Sequence, residues 1–337
     1  MSDSQDPDSM PSTSATQPGR EAGGLGRVLL TGASGFVGGY VLRELVDQGY
    51  RPVCVVRRPK DLSARLPSQT ADACDIRAGD LFDVSSLGQA AAGCAGAIHL
   101  VGIIEENPRA GATFERIHVE GTRNVLQACR SAGVNRYVHM SALGSRPDAP
   151  SRYHRTKGRA EELVRESALA WTIFRPSLIH GPEGDFMRMM KSFCTGGLRR
   201  PVMPYFGSGN ARIQPVSVRD VATCFVAALM KPETVGKTYD LGGPAQYTWR
   251  EFYDICAEAI VGHRRLKAPV PVFLAKLMAR TILPLTPSFL MPYKFNVEQV
   301  QMSQEDNVCD IGPVQRDFGL TLRDFRQEVA TYADQIP

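Results

Sequence analysis

The chain has no run of about eighteen uncharged apolar residues, so the sequence predicts no membrane-spanning helix. Its eight cysteines, at positions 54, 74, 94, 129, 194, 224, 256 and 309, include no CxxC pair, which argues against a zinc site or a redox dithiol. Most fall within apolar strand or helix patterns, as buried thiols of a reducing compartment do. Charge of one sign is also scarce. Against 39 basic residues stand 35 acidic ones, and a net charge of +4 is too small to imply nucleic acid as a partner. The first two dozen residues contain no apolar signal core, and Asp3, Asp6 and Asp8 argue against a basic transit peptide. Residues 1–25 are polar and proline-bearing and are expected to be a disordered tail. Together these absences predict a cytoplasmic protein without metal. No internal repeat is visible. What the chain does have is core material: 43% of its 337 residues are hydrophobic, enough for one large domain or a large and a small one.

The stretch around which the rest is organised is R-V-L-L-T-G-A-S-G-F-V-G, Arg27 to Gly38. Val28, Leu29 and Leu30 form a short apolar run of parallel-strand type, and Gly32, Gly35 and Gly38 follow as GxxGxxG. One glycine allows a tight turn, one lets backbone amides approach a pyrophosphate, and one lets a helix pack closely on the strand. The helix through Val37, Tyr40, Val41, Leu42 and Leu45 would then direct its positive end at phosphates. A dinucleotide site is the reading that this context supports.

Further strands are predicted at Pro52–Val56, Ala73–Gly79, Gly96–Val101, Arg136–Ser141 and Trp171–Phe174, with helices at Ser85–Ala92, Phe114–Ala132 and Tyr153–Ser167. Alternation of this kind implies right-handed crossovers and a parallel sheet covered on both faces. Residues 26–182 are thus expected to form a doubly wound α/β domain. Residues 183–337 are expected to form a smaller substrate lobe, interleaved through 212–244 with the last sheet strands. The lobe begins with a helix rich in Met and Phe (Phe186, Met187, Met189, Met190, Phe193), which suggests an apolar pocket, followed by a connection from Gly196 to Gly209. Pro269–Phe295 carries five prolines around an amphipathic run with Arg264, Arg265, Lys267, Lys276 and Arg280 nearby. It reads either as a lid packed on the lobe or as a helix lying on an anionic membrane surface.

No acid follows the second strand, where a fold selective for NAD places Asp or Glu on the ribose hydroxyls. Arg57 and Arg58 stand there instead, and guanidinium groups match a 2′-phosphate, which favours NADP over NAD. Asp80, in Gly79-Asp80-Leu81, can accept from the adenine amino group or cap the next helix. Tyr153 and Lys157 are four apart at the start of a helix and share a side. A lysine ammonium favours the phenolate, so Tyr153 is a candidate acid-base and Lys157 its partner and a ligand of ribose hydroxyls. Ser141, ending the fifth strand, can orient a substrate oxygen.

T-G-A-S-G-F-V-G, G-D-L, Y-H-R-T-K, R-P-S-L-I-H-G-P (Arg175–Pro182), P-V-S-V-R-D-V-A (Pro215–Ala222) and L-G-G-P occur in this order. In this the chain resembles the extended or atypical short-chain dehydrogenase/reductase superfamily, whose fold is the Rossmann doubly wound sheet. With H-V-E-G-T-R-N-V (His118–Val125) and the proline-rich C-terminal lobe, it is similar to the branch that contains the large nucleotide-binding accessory subunit of respiratory complex I. The resemblance implies that Gly32, Ser34, Gly35, Phe36, Val37 and Gly38 line the pyrophosphate, Arg57 and Arg58 the 2′-phosphate, and Asp80 and Leu81 the adenine. It places Val101 and Gly102 beside the cofactor ribose, Pro176 and Ser177 beside the nicotinamide, and Tyr153 and Lys157 at the reaction. His118 stands where sugar-nucleotide-modifying members commonly have Asn, and only Arg212 offers itself as a ligand for a nucleotide-sugar phosphate. The implied function is an NADP(H)-dependent oxidoreductase of an apolar carbonyl or alcohol, linked to a respiratory complex or to quinone metabolism. The rivals are a non-catalytic accessory subunit and a sugar-nucleotide epimerase or dehydratase. Peripheral association at the inner face of a membrane would fit the branch.

Overall fold

The computed structural model describes residues 25–195, 202–286 and 294–337. The expected tail, apart from Leu25, part of the Gly196–Gly209 connection and residues 287–293 of the proline-rich segment lie outside the described residues.

Six of the seven strands of the central sheet precede Ser177: β1 Arg27–Thr31, β2 Arg51–Val56, β3 Asp75–Ala78, β4 Cys94–His99, β5 Arg136–Met140 and β6 Ala170–Pro176. Lys237–Leu241 joins as the seventh, giving the order Lys237–Leu241, β6, β5, β4, β1, β2, β3 with every pair parallel. The sheet is wound in both directions from β1, because β2 and β3 lie on one side of it and β4 to β6 on the other. The crevice at the carboxyl ends of β1 and β4 is therefore the topological switch point, where sheets of this type place their ligands.

Both faces are covered, as apolar strands of a parallel sheet require. On one face the helix α1 (Phe36–Asp47) buries Val37, Val41, Leu42 and Leu45 beside the helix Val218–Ala228. Full burial of each such side chain contributes roughly 1.5–3 kcal/mol. On the other face the helices Val84–Ala91, Gly121–Ser131 and Arg152–Arg165 cover Leu29, Ala97, Tyr137 and Ile173. The two clusters confirm the doubly wound reading.

Three local expectations need correction. The fourth strand ends at His99 rather than Val101, so Leu100 and Val101 already belong to the loop over the switch point. The single helix expected over Phe114–Ala132 begins with a π-helical turn, Glu115–Glu120, before α-helical geometry resumes at Gly121. The connection to Gly209 contains a strand, Val202–Phe206, paired in parallel with Leu266–Val270.

The C-terminal lobe has its own core, in which Met187, Met190 and Phe193 of the helix Asp185–Thr195 pack with Phe252, Tyr253 and Phe325. Met187 and Met190 are fully buried there, so these side chains fill the lobe and do not line an open pocket. Phe186 and Met189 of the same helix are only partly buried. Asn307 ties lobe to sheet: its Oδ1 accepts from Ser177 Oγ at 2.5 Å, and its Nδ2 donates to the Leu143 carbonyl at 3.3 Å.

Candidate active site

The glycine-rich turn has the geometry that its spacing foretold. Gly32 adopts φ +87°, a conformation L side chains avoid, and the Gly35 amide donates back to its carbonyl at 3.0 Å. A Cβ on Gly38 would lie 2.0 Å from the Gly32 carbonyl oxygen, so only glycine lets α1 pack this close to the turn. Gly35 is the N-cap of α1 and contributes no side-chain cap, which leaves the first-turn amides directed toward an exposed surface formed by Ser34 and Gly35. These are the features of a phosphate cradle. The Phe36 ring packs at the positions where a Cβ on Gly181 or Gly184 would be, within 3.0–3.3 Å, which leaves its first-turn amide as the group that can line a pyrophosphate. Its side chain thus joins the two parts of the chain. Val37 is buried in the core.

Around the switch point the other expected cofactor residues gather from separate strand ends. Arg57 and Arg58 follow β2 and are exposed, Arg58 at 3.3 Å from Asp61 in a surface pair. Asp80 accepts from the Phe82 amide at 2.9 Å, whereas the N-cap of the next helix is Asp83, which accepts from the Ser85 and Ser86 amides. The capping alternative for Asp80 is therefore wrong: Asp83, three residues on, satisfies those donors. Leu81 packs over Gly121, and its carbonyl accepts from Asn124 Nδ2 at 3.1 Å. Val101 is half-buried and Gly102 exposed, and a Cβ on Gly102 would stand 3.6 Å from both Lys157 Nζ and His118 Nε2. Pro176 and Ser177 are buried at the end of β6.

Tyr153 and Lys157 occupy the first turns of Arg152–Arg165, whose N-cap Ser151 accepts from the His154 amide at 3.3 Å. Lys157 is 2% exposed and donates to the Met140 carbonyl at 2.5 Å, which anchors its ammonium at the end of β5. Burial lowers its pKa to about 8, against the opposing pull of the Glu161 carboxylate one turn along. Burial also pushes Tyr153 up to about 12. That direction is opposite to the one expected from a lysine partner, because the Lys157 ammonium is turned toward Met140.

His118 fixes the geometry between them. His118 Nδ1 lies 2.9 Å from Thr156 Oγ1, its Nε2 lies 3.1 Å from both the amide nitrogen and the carbonyl oxygen of Ile103, and the Tyr153 ring meets the imidazole edge to face. Burial, reinforced by the Lys157 charge, lowers the His118 pKa to about 2 and keeps it neutral. The π-helical turn carries this residue, as such turns often do at functional sites. Beneath it, Thr31 Oγ1 lies 2.6 Å from His99 Nδ1, and Thr122 Oγ1 lies 3.3 Å from His99 Nε2.

Ser141 reaches the end of β5 as expected, yet its buried hydroxyl donates to Ser145 Oγ at 3.2 Å, so donating to a substrate oxygen would require it to rotate. Arg212 is held by Asp306 at 2.9 Å and 3.1 Å and is engaged as a structural tie. Sequence reasoning missed Glu161, His99 and Asn307. Glu161 stands one helical turn after Lys157, and that spacing was the signal that could have found it.

The model of the NAD dependent epimerase/dehydratase family matches residues 28–242. The chain belongs to that family. Members of the family bind NAD(P). Among relatives, the chain is 30% identical over 284 residues to the Arabidopsis thaliana protein named NADH dehydrogenase [ubiquinone] 1 alpha subcomplex subunit 9, mitochondrial, covering 82% of this chain and 69% of that one. It is 31% identical over 258 residues to a ceramide reductase of Caulobacter vibrioides, covering 74% and 75%. The solved structure of an NADPH-dependent quinone oxidoreductase from Escherichia coli, complexed with NADPH, aligns with a TM-score of 0.70 at 18% identity, over 90% of this chain and 99% of that one. At that identity the likeness concerns the fold alone.

Proposed function

We propose that the chain is an NADP(H)-dependent oxidoreductase of the short-chain dehydrogenase type that interconverts a carbonyl and an alcohol on an apolar substrate. The observation that carries this reading is the buried Lys157 ammonium, fixed between the Met140 carbonyl and Gly102 on the same helix as Tyr153. The residues fit the cofactor. Gly32, Ser34, Gly35 and the first turn of α1 would hold the pyrophosphate, Arg57 and Arg58 the 2′-phosphate, Asp80 and Leu81 the adenine, and Lys157 the ribose hydroxyls. Bound there, NADP(H) would supply or accept the hydride.

The chain's own part is proton transfer. With its pKa pushed to about 12, Tyr153 keeps its proton at neutral pH and can give it to a carbonyl oxygen as that oxygen gains negative charge. To stabilise the phenolate that remains, the Lys157 ammonium would have to turn toward it from the Met140 carbonyl. Neutral His118 holds the Ile103 backbone and the Tyr153 ring in place. Support for an apolar substrate comes from the ceramide reductase likeness.

A second reading, a non-catalytic accessory subunit of a respiratory complex at the inner face of a membrane, is favoured by the name of the Arabidopsis relative. The two separate on one variant. Tyr153→Phe is expected to lower NADPH oxidation with long-chain ketones by about 10²–10⁴-fold while leaving NADPH affinity unchanged. Wild-type protein that retains NADPH yet oxidises it with no such acceptor, and behaves identically as Tyr153→Phe, would establish the accessory reading.

A further inference from the structure

The helix Val272–Thr281 turns its apolar side outward. Phe273 is 74% exposed, Leu277 53% and Leu274 38%, and beyond the helix Ile282 and Leu285 are 55% and 84% exposed. Only Ala275 of the helix is buried. The opposite side of the helix rests on Val297–Met302, where Lys276 donates to Gln301. Pro271 fixes the start of the helix, so the exposed row is held in place and is not the frayed end of a longer segment. This overturns the lid reading, in which the same side chains would face the lobe.

The charge around this row has one sign. Between Glu258 and Glu298 the sequence contains no acidic residue, while Arg264, Arg265, Lys267, Lys276, Arg280 and Lys294 all fall in that interval. Arg264 is neutralised by Glu258 and Lys267 by Asp254. On the helix itself, Lys276 is bonded to a neutral amide, and Arg280 is exposed with no carboxylate beside it among the described residues. An exposed apolar row flanked by unneutralised cations is complementary to the headgroup and acyl boundary of an anionic bilayer. A protein partner of ordinary charge would leave those cations against one another, and a second copy would bring the same positive charge to the contact.

We propose that Val272–Thr281 and the residues to Leu285 dock this protein on an anionic membrane surface, with Phe273, Leu277 and Leu285 entering the acyl boundary and Arg280 meeting lipid phosphates. The docked helix is one element away from the candidate active site. Asn296, which caps Val297–Met302, donates to the Ile104 carbonyl at 2.8 Å, and Glu298 accepts from the Arg152 amide, also at 2.8 Å. Ile104 adjoins the residue held by His118, and Arg152 adjoins Tyr153. Val297–Met302 thus links the docking helix to the loop and the helix that carry Ile103 and Tyr153.

The test is flotation of the full-length protein with phosphatidylglycerol–phosphatidylcholine vesicles and with phosphatidylcholine vesicles, alongside its oligomeric state in solution. The expected result is flotation with the anionic vesicles that falls at least tenfold in Phe273→Ser/Leu277→Ser and in Arg280→Glu, while each variant keeps wild-type NADPH affinity. Retained NADPH affinity shows that the variants are folded, and because flotation is read without turnover, this outcome is independent of the proposed reaction. Equal flotation by wild type and variants would overturn the proposal. So would a wild-type dimer that Phe273→Ser/Leu277→Ser converts to monomer without vesicle binding, since the occupant would then be a second copy.

Discussion

Glu161 and Arg175 meet through two parallel hydrogen bonds, Nε to Oε1 at 2.7 Å and Nη2 to Oε2 at 2.6 Å. Glu161 is fully buried, and Arg165 adds a third contact at 2.6 Å. Burial alone would raise its pKa, but Arg175, Ser141 and Arg165 together hold it below the ordinary carboxylate value. Because the pair joins the Tyr153 helix to β6, Glu161→Ala leaves two guanidinium groups without their shared anion. The expected loss is about 3–5 kcal/mol in urea unfolding. A loss below about 1 kcal/mol, as for a surface pair, would show that water reaches the cluster.

Gly38 and Gly39 are adjacent in α1 and should respond oppositely to alanine. A methyl group on Gly38 would fall 2.0 Å from the Gly32 carbonyl oxygen and 2.8 Å from Ala33 Cα, so α1 would have to move off the turn. Gly38→Ala is expected to cost about 1–3 kcal/mol and to weaken NADPH binding with it. At Gly39 the nearest atom is the end of Arg43, 4.0 Å away, and removing a helix-interior glycine should stabilise by roughly 0.5–1 kcal/mol. Thermal melts of the two variants, with and without NADPH, check both signs.

Why some of this was readable from the sequence and some was not follows from the range over which each feature is determined. The turn from Leu30 to Gly38 is local: a buried strand, three glycines at fixed spacing and a helix require one another, and the structure reproduces them residue by residue. Strand alternation likewise gave the sheet, since each helix must cover what each strand buries. The partners of Met187 and Met190 are supplied by Phe252 and Phe325, distant in sequence, so an apolar helix alone could not reveal whether it lined a pocket or filled a core. The spacing could not show either that the Ser141 hydroxyl has a partner in Ser145, in the loop that follows β5. The π-helical turn at Glu115–Glu120 leaves no mark in residue spacing, and it is what brings His118 to Ile103.

Arg57 and Arg58 carry the proposed preference for NADP. Both are exposed, and only Arg58 has an acidic neighbour among the described residues, Asp61 at 3.3 Å across a solvated surface. Arg57→Asp with Arg58→Ala removes two donors to a 2′-phosphate and supplies an acceptor for ribose hydroxyls. Each charge-assisted hydrogen bond contributes about 1.5–3 kcal/mol, so the NADPH to NADH affinity ratio should fall by at least about tenfold. Fluorescence titration with the two reduced cofactors measures it. An unchanged ratio would mean that these arginines face solvent in the complex as well.

Lys157 makes the proposed site sensitive to pH on the alkaline side. In the unfolded chain its ammonium has a pKa of 10.5, and burial lowers this to about 8 in the folded state. Between those values the unfolded chain holds a proton that the folded chain has released, so stability rises with pH across that window, and the burial penalty is complete below pH about 8. The penalty is on the order of 3 kcal/mol. Lys157→Met is therefore expected to stabilise the protein without cofactor at pH 7, by a margin that shrinks toward pH 10. Cofactor binding should move the other way. Wild-type affinity for NADPH is expected to decline as pH rises through 8, because a neutral amine holds ribose hydroxyls and nearby phosphate charge less well, whereas Lys157→Met should bind weakly with no inflection there. Urea unfolding at pH 7 and pH 10, paired with NADPH titrations across the same range, tests both halves. If wild type and variant showed parallel pH profiles, the ammonium would lie outside the electrostatic field of the cofactor site, and the Tyr153 reaction would have lost the charge that stabilises its phenolate.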